Sequence, residues 1–137
     1  MDVAKANAAD LGLADVTTWR LVEGAGWEDP DSAPDIVVSN PPYIPTADIA
    51  GLEEDVRGYD PHLALDGGTD GFEILRQLVL WSSGRTRTWF AVEIGVGQAP
   101  GLLALIEGIC GTSAARCARL RSDLGGHTRC VAWKPQF

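Results

Sequence analysis

Two short apolar runs, DIVVSN at 35–40 and TWFAVEIG at 88–95, constrain this chain more than any other feature. Each is apolar without interruption, the pattern of a strand buried on both faces. Between them, FEILRQLVLW (72–81) carries apolar residues at 72, 74, 75, 78, 79 and 81. That spacing is one face of a helix, with Asp70 as a candidate N-cap and Gly84 closing the unit. A second helix is predicted over PGLLALIEGI (100–109), with its proline in the first turn. ARCARLRSD and TRCVAWKP read as a closing antiparallel pair around LGGH. Upstream, VAKANAADLG (3–12) reads as the end of a helix closed by Gly12, and VTTWRLV (16–22) as a strand. The predicted fold class is α/β, a mostly parallel sheet with an antiparallel end. Residues 44–71, punctuated by Pro45, Gly51, Gly58, Pro61, Gly67, Gly68 and Gly71, are predicted to form a long ordered excursion.

Charge and length bound the function. The 137 residues suffice for one domain, and 11 basic against 19 acidic residues give a net charge of −8. Such a surface has no general attraction for phosphate backbones, so no direct nucleic-acid partner is expected. The later arginines (Arg85, Arg87, Arg116, Arg119, Arg121, Arg129) are read as a solvated face. No apolar run approaches the ~20 residues of a membrane span, and MDVAKANAADLGL lacks the form of a signal peptide. The expected location is cytoplasmic, without a membrane partner. Cys110, Cys117 and Cys130 form no CxxC pair and are read as small buried hydrophobes in a reduced compartment. His62 and His127 stand apart from any ligand spacing, and no metal is expected.

The chemistry concentrates in NPPY, residues 40–43, directly after DIVVS. Prolines fix φ near −65° and offer no N–H, and the residue before a proline is pushed towards extended geometry. Asn40-Pro41-Pro42 is therefore a stiff corner whose carbonyls no ladder claims. Open α/β sheets bind ligands beyond the carboxyl ends of their strands, where this corner would stand. Asn40 Oδ1 and the Pro41 carbonyl are two acceptors, and Tyr43 is a flat wall. They suit a planar group bearing –NH₂, held by both hydrogens so that its remaining pair faces an electrophile.

At these residues the sequence resembles amino-group methyltransferases that use S-adenosyl-L-methionine. More narrowly, DIVVSNPPYIP, EEDVRGYDPHLALDGGTDGF, EIGVGQ and SDLGGHTRCV, in that order over 35–131, resemble the N5-glutamine methyltransferases of peptide chain release factors. The resemblance implies a Rossmann-like class I methyltransferase fold acting on the glutamine of a Gly-Gly-Gln loop. It implies substrate binding by Asn40, Pro41, Pro42 and Tyr43, with Asn40 also beside the donor methyl. Trp27 matches an aromatic residue against the adenine, and Glu93 and Gln98 match EIGxxQ in a supporting role.

The chain also departs from that family. The family's first two strands and Gly-rich donor loop have no counterpart here, and Ala25 and Gly26 precede Trp27 where an aspartate is expected. In the family's strand order, 3-2-1-4-5-7-6, residues 35–40 would lie beside the first strand and 16–22 beside the second. The expectation is a single partial catalytic domain, 1–137, from the carboxyl-terminal part of a longer enzyme, with an incomplete donor site and a possible missing amino-terminal half. Two alternatives stand beside it. One is a permuted N6-adenine DNA or RNA methyltransferase whose Gly-rich turn is Gly95, Gly97 and Gly101. The other is a non-catalytic remnant that binds a glutamine-bearing loop.

Overall fold

The computed structural model describes residues 1–21 and 34–135. Its strands are β1 (Ile36–Ser39), β2 (Trp89–Glu93), β3 (Arg119–Ser122) and β4 (Thr128–Trp133), joined side by side in the order β1-β2-β4-β3. β1 and β2 are parallel, while β4 runs antiparallel to both β2 and β3. This order corresponds to the 4-5-7-6 end of the sheet implied by the resemblance. Strands β1, β2 and β3 share a direction, yet two of the three pairings are antiparallel, which corrects the mostly parallel sheet. The cause is the short link between β3 and β4. The Asp123 N–H donates to the His127 carbonyl at 2.9 Å and Gly126 takes φ +83°, a turn too tight for a parallel crossover.

Helices α4 (Glu73–Ser82) and α5 (Ala99–Cys110) cover one face of the sheet. α4 buries Leu75, Leu78, Val79 and Ser82, and α5 buries Ala99, Leu102, Ile106 and Cys110, both at helical spacing. They meet Phe90, Val92, Ile94, Val131 and Trp133 of the sheet. Phe90 stacks on Trp133 with centroids 5.3 Å apart, and the Trp133 indole N–H donates to Ser82 Oγ at 3.1 Å. A buried polar ring edge is thereby satisfied within the core.

Several expectations change. Ile36 and Val38 are 63% and 77% exposed, so β1 is not buried on both faces. Unbroken apolarity records what a strand is able to bury, not which cover is present. Val16 ends a 3₁₀ turn (Ala14–Val16) and residues 17–21 join none of the described strands, while Val22 lies outside the described residues. Thr17 Oγ1 instead donates to the Leu13 carbonyl at 2.9 Å, a local bond that competes with extended structure. Helix α1 (Asp2–Asp10) forms as expected, with Gly12 at φ +69° just beyond it. Asp70 is not the N-cap of α4, which is Phe72, but its carboxylate accepts the Phe72 N–H at 3.0 Å. Ala115 and Arg116 belong to helix α6 (Thr112–Arg116) rather than to a strand. Of the cysteines only Cys110 is buried; Cys117 is exposed and Cys130 half-buried.

The excursion 44–71 is ordered and returns to its start. It carries a 3₁₀ turn (Thr46–Gly51) and two short helices, α2 (Glu54–Tyr59) and α3 (His62–Leu65). The Ile44 N–H donates to the Leu65 carbonyl at 3.1 Å, and the Gly67 N–H returns to the Ile44 carbonyl at 2.8 Å.

Candidate substrate site at the carboxyl ends of β1 and β2

Asn40 follows the last residue of β1, one step beyond the Ser39–Val92 pair. Its side chain is exposed and has no hydrogen-bond partner among the described residues. The Pro41 carbonyl likewise receives no backbone N–H among them. Among the described residues, neither acceptor named in the sequence has a hydrogen-bond partner. A cavity of about 310 Å³ opens beside them, lined by Asn40, Pro41, Tyr43, Ile44, Asp60, Ala64 and Leu65.

Behind the corner, Tyr43 is held at both ends. Its hydroxyl accepts from Arg129 Nη2 at 2.9 Å and donates to Glu93 Oε1 at 3.3 Å. Arg129 also bonds Glu93 Oε1 at 3.2 Å, and its guanidinium lies 5.5 Å from the Tyr43 ring centroid. Burial works against the Arg129 charge, but the Tyr43 hydrogen bond and the carboxylates of Glu93 and Asp123 outweigh it and raise its pKa. At the other end, Gln98 Nε2 donates to the Tyr43 carbonyl at 3.0 Å and to the Gly71 carbonyl at 3.2 Å. Gln98 Oε1 accepts the Gly95 N–H at 2.8 Å.

Two glycines let the excursion close on this corner. A Cβ on Gly67 would stand 2.8 Å from the Tyr43 backbone. At Gly71, φ is +75° and a Cβ would collide with the Tyr43 carbonyl oxygen. Asp66 completes the return by accepting from Thr46 Oγ1 at 2.7 Å and from the Gly68 N–H at 2.9 Å. Those two bonds, the Thr46 one foremost, hold its carboxyl below the usual carboxylate range.

No protein-family model matches the chain. A release factor glutamine methyltransferase of Caulobacter vibrioides is 43% identical over 138 residues, taking in 94% of this chain and 44% of the relative. That of Bradyrhizobium diazoefficiens is 39% identical over 137 residues, with 96% and 43% covered. The Geobacter sulfurreducens protein of the same name is 43% identical over 95 residues, covering 66% and 34%. The chain is a relative of the release factor glutamine methyltransferases. It spans less than half the length of these curated relatives.

A methyltransferase needs a methyl donor, and an open depression lies beside Asn40. Val38, Ser39, Asn40, Ala91 and Glu93 help to line an open depression of about 310 Å³, largely apolar, with the free Asn40 carboxamide at its rim. Of its other polar side chains, Glu93 and Arg129 are engaged with Tyr43, which leaves the Ser39 hydroxyl beside Asn40. Trp27, expected against the adenine, lies outside the described residues.

The structure brings Asn40, Pro41 and Tyr43 around one cavity, while Pro42 completes the corner without lining it. Sequence reasoning missed Arg129, grouped there with solvated arginines. It is half-buried and tied to Tyr43 across 86 positions. No spacing signals such a partner. Gln98 was visible only as part of EIGxxQ.

Proposed function

We propose that this chain is part of the catalytic domain of an S-adenosyl-L-methionine-dependent methyltransferase. Its substrate is the side-chain amide nitrogen of a glutamine in the Gly-Gly-Gln loop of a peptide chain release factor. The observation that carries this reading is the pair of unclaimed acceptors, Asn40 Oδ1 and the Pro41 carbonyl, on a corner locked from behind. The names of the relatives support the substrate.

An amide nitrogen is a poor nucleophile because its electron pair is delocalised into the carbonyl. Accepting both N–H hydrogens fixes the nitrogen and turns the pair away from the corner, towards the open depression beside Asn40. Tyr43 supports the planar amide, with its ring held by Arg129 and Glu93. When bound, the donor supplies a methyl carbon made electrophilic by a sulfonium sulfur. No strong base is needed among the protein groups, because an alkylated amide nitrogen is acidic and loses its proton to water. The remaining donor contacts belong to a segment outside this chain's described residues, and the reading is of a partial domain acting in the cytoplasm with that segment.

The adenine alternative has less support. Its Gly-rich turn would have to face a ligand, but the Gly95 N–H is bound by Gln98, and Tyr43 Cδ2 lies 3.2 Å from where a Gly95 Cβ would stand.

The test is a chimera that joins this chain to the corresponding amino-terminal segment of the Caulobacter vibrioides relative. Asn40→Ala in that chimera should lower turnover roughly 10²- to 10³-fold with donor affinity unchanged. Unchanged turnover would remove the role given to Asn40.

A further inference from the structure

We infer that Gln98 is a positioning residue that sets the acceptor corner, acting through the Tyr43 carbonyl without touching substrate. The inference rests on the proposed glutamine site and deepens it. A single side-chain amide here joins three separate pieces of backbone. Its Nε2 donates to Tyr43 at the end of NPPY and to Gly71 at the end of the excursion, and its Oε1 accepts from Gly95 just beyond β2. Gln98 is the side chain that bonds all three of these pieces together. β1 and β2 are paired only up to Ser39 and Val92, so the corner extends past the last ladder bond. Gln98 stands at the N-cap of α5, whose fully buried Leu102 and Ile106 root it in the core. The clamp therefore ties the corner to the buried core.

The bond pattern needs both halves of a carboxamide: two N–H donors for two carbonyls and one acceptor for one N–H. A carboxylate of the same shape keeps the acceptor and loses both donors. Gln98→Glu consequently carries a pH readout. Ionised, it faces the Tyr43 and Gly71 carbonyl oxygens and repels them; protonated, it regains one donor. Bonding to those carbonyls favours its neutral form, so its pKa should lie above the ordinary glutamate value. Other charged groups around it are Glu93 and Arg129 through Tyr43, and Asp48 and Asp70 in the adjoining cavity of about 560 Å³. The unsubstituted chain carries all of these and serves as their control.

The experiment is NMR on the 137-residue chain, following the Asn40 side-chain NH₂ and the Tyr43 ring from pH 8 to pH 5, with Gln98→Met as a variant of similar bulk that has no donors at any pH. In Gln98→Glu both signals should titrate together, returning towards the unsubstituted positions at pH 5. Gln98→Met should be displaced throughout, and the unsubstituted chain should show no such shared titration. An acetyl-Gly-Gly-Gln-amide peptide should bind Gln98→Glu about tenfold more weakly at pH 8 than at pH 5, beyond any change in the control. Asn40 and Tyr43 signals unmoved by either substitution, in folded protein, would overturn the positioning role whether or not peptide binds. Positions that shift as expected while the unsubstituted chain ignores the peptide would sustain the clamp and refute the substrate reading.

Discussion

Gly71→Ala tests the closure of the excursion on the corner, and Gly84→Ala provides its control. Both glycines sit in the left-handed region, Gly71 at φ +75° and Gly84 at φ +83°. An L side chain there costs about 1–2 kcal/mol in either place. The surroundings differ. A Cβ at Gly84 meets nothing within 4 Å, whereas at Gly71 it collides with the Tyr43 carbonyl oxygen and comes within 2.8 Å of Gln98 Nε2. The Gln98 side chain must move aside, losing hydrogen bonds to the Tyr43 and Gly71 carbonyls. Each such bond contributes about 1 kcal/mol net. Gly84→Ala should therefore lose roughly 1–2 kcal/mol of stability and Gly71→Ala roughly 3–4. Urea unfolding followed by tryptophan fluorescence reads both, provided the slopes agree between variants. If the two variants lose the same stability within error, the excursion is not packed on Tyr43 as described.

Trp133→Phe should keep the stack on Phe90 and lose the indole N–H bond to Ser82, for a loss of roughly 1–3 kcal/mol by thermal or urea melting; no loss would mean that the bond contributes nothing. Because the Asp66 carboxyl is held below its ordinary pKa, its contribution is fully present above the unfolded value and disappears as pH falls through the lower folded one. The Gly68 amide signal should accordingly titrate below the ordinary carboxylate range, and a midpoint within or above that range would contradict the Thr46 and Gly68 bonds as the cause. Val38→Lys places a charge on an exposed strand. An exposed apolar strand invites association, so the substitution should make the chain associate less in light scattering as concentration rises, without lowering the melting temperature. Equal scattering from both chains would show that β1 does not drive association.

The sequence signals differ in what they encode. Helices α4 and α5 were legible because their apolar spacing is a local property, and their buried residues fall where the 3.6-residue period puts them. β2 was legible as an apolar run, although only its alternate residues Phe90 and Val92 are fully buried, and the tip of β1 could be located because NPPY admits no continuing strand. The strand expected over 16–22 was not formed over its described part, since β-branched composition states a preference that only a neighbouring edge can satisfy. The burial of β1 failed likewise: the face bearing Ile36 and Val38 needs cover that local composition does not specify.

By itself, the sequence determined the stiff corner and placed two acceptors on it, because proline geometry and the missing N–H act within a few bonds. It also determined the resemblance, through four ordered motifs. Only the tertiary structure decided what holds the corner: Arg129 on the Tyr43 hydroxyl, Gln98 on its carbonyl, and Gly71 admitted against it. Those partners lie 86, 55 and 28 positions away, and they meet because parallel and antiparallel pairing bring the carboxyl ends of β1 and β2 and the start of β4 to one end of the sheet. Contacts at such separations depend on how the elements pack, and no local pattern carries that information.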